Sequence, residues 1–137
     1  MAERNPYLPY LMRVAKVTEE APAVKTFRLE FMNPEEAANF EFFTGQFGLY
    51  SAFGEGESTF CIASSPTRKG YIECTFRAVG RVTSVLATKE EGDIVGFRGP
   101  YGNLFPLDAW RGKNLLFIAG GIALPPLRSV IWNCLDR

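Results

Sequence analysis

The chain has 137 residues, 47% of them hydrophobic, which is enough for one good core that buries about two-thirds of its unfolded surface, plus a stub. Fifteen basic and fifteen acidic residues cancel, so charge argues against nucleic acid or an anionic membrane as partner. No histidine is present and Cys61, Cys74 and Cys134 form no C-x-x-C pair, which disfavours hydrolytic and metal-centred chemistry.

No apolar stretch reaches the ~20 residues of a bilayer span, so no membrane insertion is expected. The N-terminus Met1-Ala2-Glu3-Arg4-Asn5-Pro6 lacks a signal-peptide pattern, and a cytoplasmic location is the expectation. Leu11–Thr18 and Val24–Phe31 both alternate and are expected to pair antiparallel, with Glu19-Glu20-Ala21-Pro22 as the connection. Asn33–Ala37 reads as a turn or one helical turn. Further strands are expected at Gly45–Ser51, Thr59–Ser64, Tyr71–Arg77 and Asp93–Arg98, with Gly54–Glu57 and Ser65–Gly70 as loops. Six short strands broken by turns predict a six-stranded antiparallel Greek-key barrel, because closure removes exposed edges. One helix interrupts it: Val82, Val85 and Leu86 follow Gly80 at helical spacing, and Gly92 stands where a C-terminal glycine would. There is no internal repeat.

Near Leu107–Gly112 the pattern changes. The apolar run Asn114–Ala119 leads into Gly120-Gly121, and Pro125 and Pro126 suit the first turn of a helix. Beyond them Leu127, Val130, Ile131, Cys134 and Leu135 lie on one helical face. This reads as the first strand–helix unit of an α/β nucleotide-binding domain, whose remainder is not among these residues. The organisation expected is a β-barrel over 1–110 and an incomplete second domain over 111–137. Unless something covers Val130, Ile131 and Leu135, that helix should drive self-association.

Three glycine- or aromatic-centred stations follow one another: Phe60-Cys61-Ile62-Ala63-Ser64, Gly80-Arg81-Val82-Thr83, and Gly99-Pro100-Tyr101-Gly102 ahead of Gly120-Gly121. Alone, each has a plain reading. Phe60 and Cys61 would be barrel core, Gly80–Thr83 a helix cap, and Gly99–Gly102 a turn. A glycine-led helix start also exposes free N–H groups to an anion such as a pyrophosphate.

In order and spacing these stations resemble the ferredoxin–NADP reductase-like flavoproteins, in which an antiparallel barrel binds FAD and a following α/β domain binds NAD(P). Asn5-Pro6-Tyr7 and the run from Gly56 to Pro66 look most like the flavin-bearing gamma subunits of cytoplasmic sulfhydrogenases and NAD(P)-linked nickel–iron hydrogenases. The corresponding subunit of anaerobic sulfite reductase and the electron-transfer subunit of dihydroorotate dehydrogenase are similar.

The resemblance implies that Phe60 and Cys61 occupy the aromatic and hydroxyl places of an Arg-x-Tyr/Phe-Ser/Thr signature, with Ile62 and Ala63 continuing it. Ser58 stands in the arginine's place, which removes a bidentate phosphate partner, and the Cys61 thiol is a weak donor toward the flavin. It implies that Gly80, Arg81, Val82 and Thr83 hold the FAD phosphates. Arg77 either replaces the charge missing at Ser58 or is a solvated strand-end arginine. Gly120 and Gly121 match a Gly-Gly-x-Gly/Ala-x-x-Pro pyridine-nucleotide motif, not G-x-G-x-x-G.

The cofactor implied is FAD, with NAD(P) requiring a completed second domain. A [2Fe–2S] centre belongs to full-length relatives and has no ligands here. The implied role is an electron-transfer oxidoreductase subunit working with other subunits of a redox complex, with these residues lacking a competent NAD(P) site. Two rival readings are a non-catalytic docking barrel that no longer binds flavin, and a ligand-binding barrel unrelated to the family.

Overall fold

The computed structural model describes residues 3–137. Six strands form one antiparallel sheet: β1 (Tyr10–Ala21), β2 (Val24–Phe31), β3 (Phe47–Ala52), β4 (Gly56–Cys61), β5 (Ile72–Arg77) and β6 (Ile94–Tyr101). Their order is β4-β3-β6-β1-β2-β5, so the sixth strand is inserted between the third and the first as in a Greek key. The sheet curls until residues beyond β4 reach β5. There the Ala63 N–H donates to the Glu73 carbonyl (2.7 Å) and the Glu73 N–H to Ser64 Oγ (3.1 Å).

The six expected barrel strands are all present, several with different limits. Strand β1 runs on to Ala21 because its ladder with β2 continues past the predicted connection, through Glu19 opposite Lys25, and the reversal is made by Pro22 and Ala23. Gly56 and Glu57 belong to β4, leaving Phe53–Glu55 as the hairpin turn. Gly99-Pro100-Tyr101 is not a turn. Strand β6 pairs with β3 as far as Phe47 opposite Tyr101, across a register irregularity where a proline can sit without interrupting the ladder. The Gly99–Pro100 peptide is cis.

Three helices accompany the barrel: α1 (Pro34–Asn39), α2 (Arg81–Leu86) and α3 (Leu124–Asp136). Helix α1 opens under Asn33, whose side chain accepts from the Glu35 N–H. Helix α2 ends at Leu86, earlier than Gly92 suggests. Gly92 instead serves the turn into β6 and donates its N–H to the Val14 carbonyl (2.8 Å).

Most of the aromatic surplus is core. Tyr50, Phe27, Phe76 and Phe97 are essentially inaccessible and pack with Met12, Leu29, Ile62 and Ile72. Ring centroids lie 5.0 Å apart for Phe27–Phe76 and 5.1 Å for Tyr50–Phe97. Gly48 lets β3 approach this packing closely: a Cβ there would stand 2.1 Å from Phe97 Cε2.

The segment Asn114–Ala119 is not a strand. Among the described residues no strand lies alongside to take its N–H and C=O groups, and Leu116 and Ile118 are 86% and 84% exposed. Helix α3 forms as expected, with Pro125 and Pro126 in its first turn. Its buried stripe, however, is rotated from the expected face to Ser129, Val130 and Asn133, while Cys134 is exposed and Leu135 is 69% exposed. Polarity explains the rotation. Helix α3 docks on the β4–β5 connection, where Ser129 donates to the Ser64 carbonyl (2.7 Å) and Arg128 to Glu73. Asp136 accepts from Thr67 (2.6 Å) and from Arg68, whose guanidinium also lies 4.0 Å from the Trp132 ring centroid. The Arg68 and Thr67 hydrogen bonds hold the Asp136 carboxyl below the usual carboxylate range. Among the described residues no helix is long and apolar enough to cross a membrane.

Gly48→Ala should destabilise the barrel by about 3 kcal/mol, at the upper end for overpacking, because Phe97 has no free volume into which to turn. Chemical denaturation checks this, and a variant within about 0.5 kcal/mol of the parent would show that β3 can shift freely.

Candidate functional site

Strands β4 and β5 stand at opposite ends of the sheet order, so no ladder joins them along Gly56–Cys61 and Ile72–Arg77. Only the segment just beyond β4 is stitched to β5. The outer edge of β4 therefore carries backbone N–H and C=O groups that no strand takes among the described residues, and this unladdered seam is the candidate groove.

Phe60 and Cys61 lie on the seam. The Phe60 ring is partly buried, 5.5 Å from Tyr50 and 5.6 Å from Phe76 between centroids, so it is core on one side and accessible on the other. Cys61 is half-buried, and burial pushes its thiol up, which keeps it protonated at neutral pH. Ile62 and Ala63 are buried. Ile62 joins the core and donates its N–H to Gln46, so both can offer a ligand only backbone groups. Ser58, where the signature would place arginine, is part-buried opposite Tyr50 on β3.

At the other end of the seam stands the start of α2. Gly80 is the N-cap and contributes no side chain, and its backbone is ordinarily extended at φ −137°. The cap is supplied from within the helix. Thr83 Oγ1 accepts from the Gly80 N–H (2.8 Å) and the Val79 N–H (3.1 Å). The N–H groups of Arg81, Val82 and Thr83 have no i−4 partner inside the helix and stay available to an acceptor. A Cβ on Gly80 would meet nothing but Thr83 Oγ1 at 3.7 Å, so the approach to these groups is open. Val82 borders Gly56 at the start of β4, and Arg81 is ion-paired with Glu55 (2.6 Å). Arg77, exposed at the end of β5, makes no ion pair among the described residues and is the uncommitted cation of the groove.

These two stations are four to five strand residues apart, roughly 15 Å along β4 at 3.3 Å per residue. A ligand touching both must be extended, anionic at the α2 end and flat at the Phe60 end. Gly120 and Gly121 are not brought into the groove. They form an exposed turn, closed by Ala123 N–H donating to the Gly120 carbonyl (3.2 Å), and nothing lies within 4 Å of a Cβ at either.

Three features of the site carry little or no signal in the sequence. Behind Phe60, Tyr50 has a fully buried phenol with no hydrogen-bond partner among the described residues, and desolvation pushes it well above its ordinary range. Glu73, buried on β5, accepts from Arg28 and from Arg128. Arg98 reaches across from β6 to Glu57 on β4 (3.0 Å). Only alternation hints at Glu73, by placing an acid beside core-facing Ile72 and Cys74.

Comparison with known proteins identifies the family and the fold. The family described as "oxidoreductase FAD-binding domain" matches residues 12–105. The sulfhydrogenase 2 subunit gamma of Pyrococcus furiosus is 46% identical over 132 residues, covering 96% of this chain and 46% of that protein. The sulfhydrogenase 1 subunit gamma of the same organism is 43% identical over 137 residues, covering 100% and 47%. The chain thus spans about half the length of these relatives. Among solved structures, the Amycolatopsis cytochrome P450 reductase GcoB superposes with a TM-score of 0.77 at 25% identity, over 93% of this chain and 39% of that one. Phthalate dioxygenase reductase gives 0.77 at 22% identity, over 92% and 39%, and shows the shared fold. With its barrel, its seam and this match over most of its length, the chain belongs to the oxidoreductase FAD-binding domain family, within the ferredoxin–NADP reductase-like superfamily.

Proposed function

We propose that the β4–β5 groove is the FAD site of an electron-transfer subunit, which relays reducing equivalents between NAD(P)H and the iron–sulfur centres of a larger cytoplasmic complex. The observation that supports it most is the pairing of an unladdered strand edge with an open helix start at the far end of the same groove. The residues present fit the cofactor. The Arg81, Val82 and Thr83 N–H groups suit a pyrophosphate, and Arg77 and Arg81 add charge in place of the arginine missing at Ser58. The free edge of β4 offers donors and acceptors to the polar rim of a flavin, and the accessible side of Phe60 offers an apolar wall.

When bound, FAD supplies hydride acceptance and single-electron release, so this chain's side chains need only bind, orient and exclude water. That division of labour suits a sequence without histidine. Cys61, held protonated by burial, is neither a thiolate nucleophile nor a strong hydrogen-bond donor.

The same reading assigns residues 1–110 to the flavin barrel and 111–137 to the beginning of the nucleotide domain. The unpaired Asn114–Ala119 segment and the open Gly120–Gly121 turn support the view that these 137 residues hold no competent NAD(P) site. A sulfhydrogenase-like assembly is the kind of partner expected, from the names of the relatives. Ser58 and Cys61 favour a second reading, in which the barrel has lost flavin and serves only in docking.

Purified protein should take up one FAD, seen as a flavin spectrum and quenched fluorescence; a colourless protein that ignores added FAD would establish the docking barrel instead. Gly80→Val should preserve the fold yet weaken FAD binding about tenfold, since its side chain would stand over free N–H groups that a charged acceptor uses. Under anaerobic conditions, NAD(P)H should leave the flavin of this chain oxidised over minutes; rapid bleaching would show the nucleotide site to be complete. Self-association is expected through Leu116, Ile118 and Leu135. Sedimentation should show a concentration-dependent oligomer that Leu116→Lys with Ile118→Lys dissolves, and a monomeric parent at high concentration would refute this.

A further inference from the structure

We propose that Ser64, Arg128 and Ser129 are positioning residues, which couple the seating of helix α3 to the conformation of the groove segment Phe60–Ala63. The proposal rests on the flavin reading for what the groove binds, but the coupling itself is a property of the chain.

The coupling path is short and buried. Ser64 follows directly on Phe60–Ala63 and is held through both of its oxygens. Its Oγ accepts from the Glu73 N–H (3.1 Å), and its carbonyl accepts from Ser129 Oγ on α3 (2.7 Å). Ser64 and Ser129 are both inaccessible to solvent. One residue upstream, the Ala63 N–H is spent on the Glu73 carbonyl (2.7 Å), and before it the Ile62 N–H on Gln46 (3.1 Å). The segment thus has an anchor just ahead of β3, a β5 anchor and an α3 anchor in succession.

Arg128, next to Ser129, completes the third anchor by donating to the Glu73 carboxylate, whose other oxygen is held by Arg28 at 3.0 Å. Glu73 is therefore bonded to the groove segment through its backbone and to α3 through its side chain. If the Ser129 hydroxyl is lost, the Ser64 carbonyl is left buried without this donor. Relief requires α3 to lift from this segment or residues 62–65 to shift, and either change is passed along the chain to Cys61, one residue upstream. Reciprocity then requires that whatever orders the groove also favours α3 in its docked position, and whatever docks α3 favours the ligand.

The 137-residue chain tests this with two readouts, one of which needs no flavin. The rate of alkylation of Cys61, followed by peptide mass spectrometry without FAD, reports opening of the segment; FAD affinity reports the groove. Ser129→Ala and Arg128→Met should each speed Cys61 alkylation and weaken FAD binding about tenfold, within the range usual for coupled sites. Arg128→Lys should restore both, because it keeps a cation opposite Glu73. Arg13→Ala, which removes the exposed Arg13–Glu30 pair on the barrel's outer surface, should change neither.

Folded Ser129→Ala and Arg128→Met proteins with parental Cys61 reactivity would overturn the coupling, whatever their flavin content. Arg128 is about one-third exposed, so its replacement remains informative if Ser129→Ala does not fold. Cys61 that responds to the variants in a chain that takes up no FAD would support the coupling and refute the flavin reading.

Discussion

The carboxylate of Glu73 is the constraint on which the arrangement of this molecule turns. Its side chain is only 8% exposed, and two guanidinium groups from different parts of the chain meet on it, Arg28 from β2 and Arg128 from α3. A carboxylate taken out of water costs several kcal/mol in order of magnitude unless its oxygens are matched. Each oxygen here has its own arginine, and Arg28 is backed by the Tyr71 ring at 4.2 Å. The arginines remain about a third exposed, so they keep part of their hydration while the acid keeps almost none. Burial falls on the acid and solvation is left to the bases. A geometry so particular permits few alternatives, and helix α3 cannot slide by a turn without leaving Glu73 half-paired.

This explains why a helix rich in Leu, Ile and Val meets the barrel with serine, asparagine and arginine. An apolar contact would be tolerant of rotation, whereas the Ser129, Arg128 and Asp136 bonds select one azimuth. Of its apolar residues only Val130 is thereby fully buried, and Leu135 faces outward. Inside the barrel the opposite logic holds. Phenylalanine rings fill the space at edge-on and tilted angles, and shape does the selecting. One fold thus uses apolar packing for its closed core and hydrogen-bond geometry for its attachment.

Much of this is legible in the chain. Alternation locates β1 and β2, apolar runs bounded by turn residues locate the other barrel strands, and Gly80 with Val82, Val85 and Leu86 locates α2. What stays hidden depends on partners remote in sequence. The extension of β6 through Gly99 and Pro100 is decided by its pairing with Phe47, about fifty residues earlier, not by the local preference of Gly-Pro for reversal. Asn114–Ala119 has a strand's composition and lacks a neighbour. Hydrophobic spacing misplaces the buried face of α3 because it shows what a helix could bury, not what surface it meets. Phe60 is legible only as a choice between core and site, and in the structure its ring packs on Tyr50 and Phe76 while staying partly accessible.

The unladdered edge of β4 has a consequence for how such a chain survives in a cell. An open strand edge is a template for strand addition from another molecule, the usual beginning of intermolecular β-aggregation. Gly56 and Glu57 at its start, and the Arg81–Glu55 pair beside it, guard one end with charge and glycine. The Phe60 end has no such guard. A flat ligand seated there would act as the missing strand, so that loading with cofactor and protection from misassembly become a single event. Folding yield would then depend on the supply of that ligand during synthesis.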